Sequence, residues 1–89
     1  MRIALDYDGT YTADPVLWDR FITDAKSRGH KITVVTCRRD TEENRQEVVV
    51  PGCLVLFTNL AAKKWAVEQR GLTIDVWVDD DPNCIANGK

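Results

Sequence analysis

Short apolar runs alternate along the chain with segments where apolar residues recur at helical spacing. Arg2 to Asp6 reads as a buried strand that ends on an acid. Asp14-Pro15 predicts a helix start, with Asp14 as N-cap and proline at the first helical position. Val16, Leu17, Phe21, Ile22 and Ala25 then mark the apolar face of that helix, and Gly29 stops it. Lys31 to Thr36 is rich in β-branched residues and predicts a second strand. Asp40 and Glu43 suggest a capping box that opens a short helix running up to Pro51-Gly52. Cys53 to Thr58 reads as a third strand, Leu60 to Arg70 as a helix closed by Gly71, and Ile74 to Asp79 as a fourth strand. Asp80-Asp81-Pro82 follows.

Strand and helix therefore alternate along the whole chain. That order predicts right-handed crossovers and a parallel sheet covered by helices on both faces. Nearly continuous apolar strands fit such a sheet, because both of their faces are buried. In parallel α/β sheets the carboxyl ends of the strands carry function. The residues at those ends are Asp6 with Asp8, Thr36, Thr58, and Asp79 with Asp80. Polar groups thus cluster where four separate strands should end together.

The 89 residues give room for one small domain over 1–89, with little left for a lid. Twelve basic and fourteen acidic side chains give a net charge of -2, which excludes a polybasic arm for nucleic acid or membrane. No apolar run is long enough to span a bilayer. The N-terminal segment reaches Asp6 too soon for a signal peptide. Cys37, Cys53 and Cys84 cannot all pair and form no Cys-x-x-Cys, so a reduced, cytoplasmic protein is expected.

If the first and last strands are neighbours, Asp6, Asp8, Asp79, Asp80 and Asp81 converge on one small space. Two carboxylates about 4 Å apart repel by roughly 4 kcal/mol at an effective dielectric near 20. Such a cluster needs protons or a cation, and hard oxygen ligands in an open shell suit Mg²⁺. Setting these five acids aside leaves nine against twelve bases. The rest of the surface is then mildly positive and suits an anionic substrate. Asp6 ends its strand, and Asp8 follows in a loop loosened by Gly9. One carboxylate placed this way can attack phosphorus while the other moves a proton.

Asp6-Tyr7-Asp8-Gly9-Thr10 after an apolar strand resembles the first motif of the haloacid dehalogenase superfamily of phosphohydrolases. Thr36 resembles the second-motif Ser/Thr, Lys63 or Lys64 the third-motif lysine, and Asp79-Asp80 the acidic pair of the fourth. The resemblance covers residues 3 to about 82. It implies a three-layer α/β/α sandwich, Rossmann-like, with about four parallel strands in the order third, second, first, fourth. It also implies Mg²⁺-dependent hydrolysis of phosphomonoesters through an aspartyl-phosphate on Asp6, with Asp8 as general acid and base. Mg²⁺ would be held by Asp6, the Asp8 carbonyl and an acid of the Asp79-Asp80 pair, with Asp80 favoured. Thr36 and the Cys37 amide would bind phosphoryl oxygens, beside the motif residues Gly9 and Thr10. The lysine would neutralise charge, and Lys63 shares a helical face with Ala66 and Val67, so it is preferred to Lys64. Arg38 resembles an arginine of polynucleotide phosphatases, as in the phosphatase domains of kinase-phosphatase enzymes, and would grip substrate phosphate.

Only Tyr11 to Ala13 separates the first motif from the next helix, so no cap domain fits there. None fits before the fourth motif either, and a fifth strand is not expected. Such a capless site would admit bulky phosphorylated ends, as on nucleic acid or protein, and would exclude water poorly. Other readings are a phosphotransferase, a receiver-like switch, or a non-catalytic phosphate- or protein-binding module. A receiver would carry its phosphorylated Asp on a middle strand, where this chain has Thr58. A calcium loop would need Glu where counting from Asp6 gives Leu17 or Pro15. A cysteine phosphatase would need an arginine six residues after Cys37, where Glu43 stands. His30 is expected to be structural, and Trp18, Trp65 and Trp77 to pack in the core or against the sheet.

Overall fold

The computed structural model describes residues 1–88. Its strands are β1 (Arg2–Leu5), β2 (Lys31–Thr36), β3 (Leu54–Phe57) and β4 (Val76–Val78). Its helices are α1 (Pro15–Ser27), α2 (Glu42–Glu47), α3 (Lys63–Gln69) and the single turn α4 (Asn83–Ala86), with a 3₁₀ turn at Tyr11–Ala13. All strand pairs are parallel, in the order β3-β2-β1-β4. The α/β arrangement is the one expected from the alternation of apolar runs, and the strand order is the one expected from the motif resemblance. Among the described residues no helix is long and apolar enough to cross a membrane. Cys37, Cys53 and Cys84 are all free thiols.

Strand alternation divides the core into two halves. Ile3 and Leu5 of β1 face one side with Ile32 and Val34 of β2, and Ile22 and Ala25 of α1 cover them. Ala4 and Val35 face the other side with Leu56, under Ala66 and Val67 of α3. The sheet is thus the middle layer of three, with α1 and α3 on opposite faces.

Several boundaries differ from the sequence expectations, each for a local reason. The core-facing stripe of α1 consists of buried Ile22 and Ala25 with half-buried Trp18 and Phe21, whereas Val16 and Leu17 lie exposed in its first turn. The α2 N-cap is Thr41, whose hydroxyl accepts from the Asn44 amide at 3.1 Å. Asp40 pairs with Arg45 instead of capping, and the helix ends at Glu47, short of Pro51. The third helix starts at Lys63 rather than Leu60. Asn59 and Leu60 both have positive φ (54° and 69°), which no helix accommodates. They form a turn stapled to the β2 loop, where the Leu60 amide donates to the Cys37 carbonyl at 2.8 Å and the Asn59 amide to that of Arg38 at 3.2 Å. Trp18 and Trp77 pack against the two core halves as expected, but Trp65 lies on the outer face of α3, 58% exposed. His30 sits at the turn into β2, its Nδ1 2.7 Å from the N-terminal amine.

Candidate functional site

Asp6 follows β1, and its amide donates to the Val78 carbonyl at 2.9 Å, prolonging the β1–β4 ladder by one step. Alternation carries the Asp6 side chain to the face of Ala4, which is the α3 face. β1 and β4 run in register, with Leu5 opposite Val78, so Asp79 comes to lie beside Asp6. Lys63 opens α3 on the same buried face as Ala66 and Val67. Its ammonium donates to Asp6 Oδ1 and to Asp79 Oδ2, both at 2.6 Å. Three residues far apart in sequence meet because sheet register and helix phase agree.

All three side chains are at least nine-tenths buried. Burial raises the Asp6 carboxyl, Lys63 lowers it and Asp80 raises it again, leaving it pushed up to about 6. Burial also works against the Lys63 charge, but its hydrogen bonds to Asp6 and Asp79 outweigh that and hold its pKa above the usual lysine value. Asp80 lies in the open mouth of the site. Its hydrogen-bonding relation with Asp6, followed by the Thr10 contact, holds its carboxyl below the usual range.

Thr10 fastens the first loop to the last. Its hydroxyl accepts from the Asp80 amide at 3.2 Å, and its single proton serves Asp6 Oδ2 at 3.0 Å or Asp80 Oδ1 at 3.3 Å. Gly9 comes equally close. Its φ is +83°, and a Cβ there would lie 2.9 Å from Asp80 Cγ and closer still to Oδ2. Only glycine leaves that space open for the carboxylate.

The expected convergence of five acids is reduced to three. Asp6, Asp79 and Asp80 each offer an oxygen within 4.8 Å of the others, a grouping that could hold a metal ion. Asp81 precedes α4, and its carboxylate accepts from the Cys84 thiol at 3.1 Å. Asp8 turns away to Arg38, which donates to both its oxygens at 2.8 and 2.9 Å. The first cation balancing the acids is therefore Lys63. Three carboxylates and one ammonium leave two formal negative charges, the complement of a divalent ion.

Of the two candidate lysines, Lys63 joins the acids and Lys64 is exposed. Thr36 is 1% exposed at the end of β2, and its Oγ1 accepts from the Arg38 amide at 3.3 Å. Cys37 is buried, with its thiol near the Ala61 carbonyl. Thr58 turns its hydroxyl to the Ala61 carbonyl at 2.8 Å and serves the turn rather than the acids. Sequence reasoning missed Glu47 and Asn44, which hold the far side of Arg38, and Tyr7, whose ring lies under the guanidinium with 5.4 Å between its centroid and Cζ. Asn44 and Glu47 lie on α2 and Arg38 in the loop before it, and no motif in the sequence ties them together. No family model matches this chain, and comparison with curated proteins and with solved structures gives no match.

Proposed function

We propose that the protein is a Mg²⁺-dependent phosphatase that hydrolyses phosphomonoesters through an aspartyl-phosphate on Asp6. The observation that carries this reading is the Lys63 ammonium bridging Asp6 and Asp79 beside Asp80. A buried carboxylate with its own cation, next to two further acids, suits phosphoryl transfer better than it suits a scaffold. Replacing buried charges by apolar groups is usually neutral or stabilising, so a pure scaffold gains little from them. The motif resemblance to the haloacid dehalogenase superfamily points the same way.

Asp6 and Asp80 are the side chains that would hold Mg²⁺, together with the Asp8 carbonyl. The residues fit the ion: two uncompensated charges and oxygen donors, with Gly9 leaving room for the Asp80 carboxylate. Both Asp79 oxygens are already engaged, one by Lys63 and one by the Asp81 amide at 3.0 Å, so Asp79 orients the lysine. Bound Mg²⁺ would screen the phosphoryl charge and favour ionised Asp6.

An Asp6 oxygen attacks phosphorus while the bond to the leaving oxygen breaks. Asp8 gives that oxygen a proton. Water then attacks the phosphorus, Asp8 takes its proton, and the bond to Asp6 breaks to release inorganic phosphate. Lys63 would offset charge at Asp6 throughout, and the motif resemblance gives Thr36 the contact to a phosphoryl oxygen. An aryl-phosphate assay with and without Mg²⁺, on wild type and Asp6→Asn, tests the reading. Turnover that needs both Mg²⁺ and Asp6 is expected. Turnover that survives either loss defeats it.

One observation favours a slower alternative, a phosphate- or protein-binding module with little turnover: both Asp8 oxygens are held by Arg38. Phosphate binding without steady-state turnover in the same assay would select that alternative.

A further inference from the structure

The guanidinium of Arg38 has five N–H donors, and its neighbours account for all of them. Nε donates to Asp8 Oδ2 at 2.9 Å, and one Nη2 proton to Asp8 Oδ1 at 2.8 Å. The other Nη2 proton reaches Glu47 Oε1 at 3.3 Å. The two Nη1 protons go to Glu47 Oε2 at 2.8 Å and Asn44 Oδ1 at 3.2 Å. One edge of the fork thus grips Asp8, and the end of the fork grips Glu47 in a second bidentate pair. The Tyr7 ring lies under the plane. A substrate phosphate finds no free donor on Arg38 unless a carboxylate leaves.

The two carboxylates differ in tether. Asp8 belongs to the short loop anchored by Thr10, whereas Glu47 is the last residue of a six-residue helix with a side chain 62% exposed. Either edge of a guanidinium offers two parallel donors that fit a phosphate, so the edge whose carboxylate leaves more readily is the one a phosphate takes. We infer that Glu47 is an internal competitor for the phosphate-gripping end of Arg38, which a substrate's anionic group displaces. The substrate class that gains most is a phosphomonoester with a second anionic group beside the one that is cleaved, since one anion can sit at Asp6 and the other at Arg38.

This inference deepens the phosphatase reading and rests on it for turnover only. An exposed pair of this kind is worth roughly 1.5- to 5-fold in an equilibrium constant. Glu47→Ala should therefore lower KM about 2- to 5-fold for a nucleoside 3′,5′-bisphosphate and less for a nucleoside 5′-monophosphate, with kcat within about twofold. Glu47→Gln should fall between. In an Arg38→Ala background the same change should leave KM unmoved. A KM that rises or stays constant in Glu47→Ala, or one that falls equally without Arg38, overturns the inference. Orthophosphate affinity, read by NMR at the Arg38 Nε–H signal and the backbone amides, supplies an arm that needs no turnover. It should tighten by a similar factor in Glu47→Ala and not in Glu47→Ala/Arg38→Ala. If wild type binds phosphate in this way but turns nothing over, the phosphatase reading fails and the competitor role stands.

Discussion

Lys63 sets its ammonium 2.6 Å from Asp6 Oδ1, and both side chains are at least nine-tenths buried. A pair removed from water in this way contributes little net stability, but each partner depends on the other. Lys63→Met should destabilise the fold by about 3–5 kcal/mol, because Asp6 and Asp79 lose the cation that compensates them. Lys64→Met, one residue on and exposed, should stay within about 0.5 kcal/mol of wild type. Urea unfolding curves separate the two. Equal effects would mean that the buried bridge is not what the lysine supplies.

The Asp6 carboxyl, pushed up to about 6 from an ordinary 3.8, ties stability to pH. Because the folded value is raised, the stabilising effect is full below the unfolded pKa and is lost as pH rises through the folded one. Between 3.8 and about 6 the loss is about 3 kcal/mol at about 1.4 kcal/mol per pH unit. Millimolar Mg²⁺ should restore stability above pH 6 and do little below pH 4, since it favours the ionised carboxylate. Unfolding free energies across that range, with Mg²⁺ and with a chelator, check both halves. A metal-free profile that is flat from pH 4 to 7 would contradict the burial argument.

Gly9→Ala tests the space beside Asp80. The added methyl meets that carboxylate, and φ of +83° already disfavours any side chain. The positive φ alone costs about 1–2 kcal/mol. The displaced Asp80 should weaken Mg²⁺ binding by at least about tenfold, as loss of a ligand's positioning does in metal sites. Calorimetric titration with Mg²⁺ reads this directly, with circular dichroism confirming that the fold persists.

Thr10→Val keeps the shape of the side chain and deletes the hydroxyl that meets Asp6, Asp80 and the Asp80 amide. Leaving such groups unpaired should cost about 1–3 kcal/mol. Thr10→Ser should recover most of it. If Val and Ser behave alike in urea, the hydroxyl does not hold the two loops together.

Much of this architecture was legible in the chain. The nearly continuous apolar strands and the glycine stops give the alternation of strand and helix along the chain. The spacing of Lys63, Ala66 and Val67 puts that lysine on the buried face of its helix. Asp6 and Asp79 could be matched as the last residues of neighbouring strands. What stayed hidden depends on where side chains turn after a strand ends. Nothing in the order of residues says that Asp8 and Asp81 point away from the acids. Leu60 looks like the start of a helix until its positive φ is seen, an apolar residue in a conformation that favours glycine. Trp65 follows an aromatic-means-buried expectation that fails because the buried stripe of α3 is already filled by Lys63, Ala66 and Val67.

The pairing of β1 with β4 joins residues 3–5 to 76–78. While the chain is unfolded, Asp6 and Asp80 are separated by dozens of residues and their charges hardly sense one another. They are forced together only when the final strand docks, so the electrostatic penalty falls late, on a contact that also closes the longest loop in the sheet. A divalent ion added during refolding should thus act mainly after the rest of the sheet has formed. It would slow the departure of β4 more than it hastens the initial collapse.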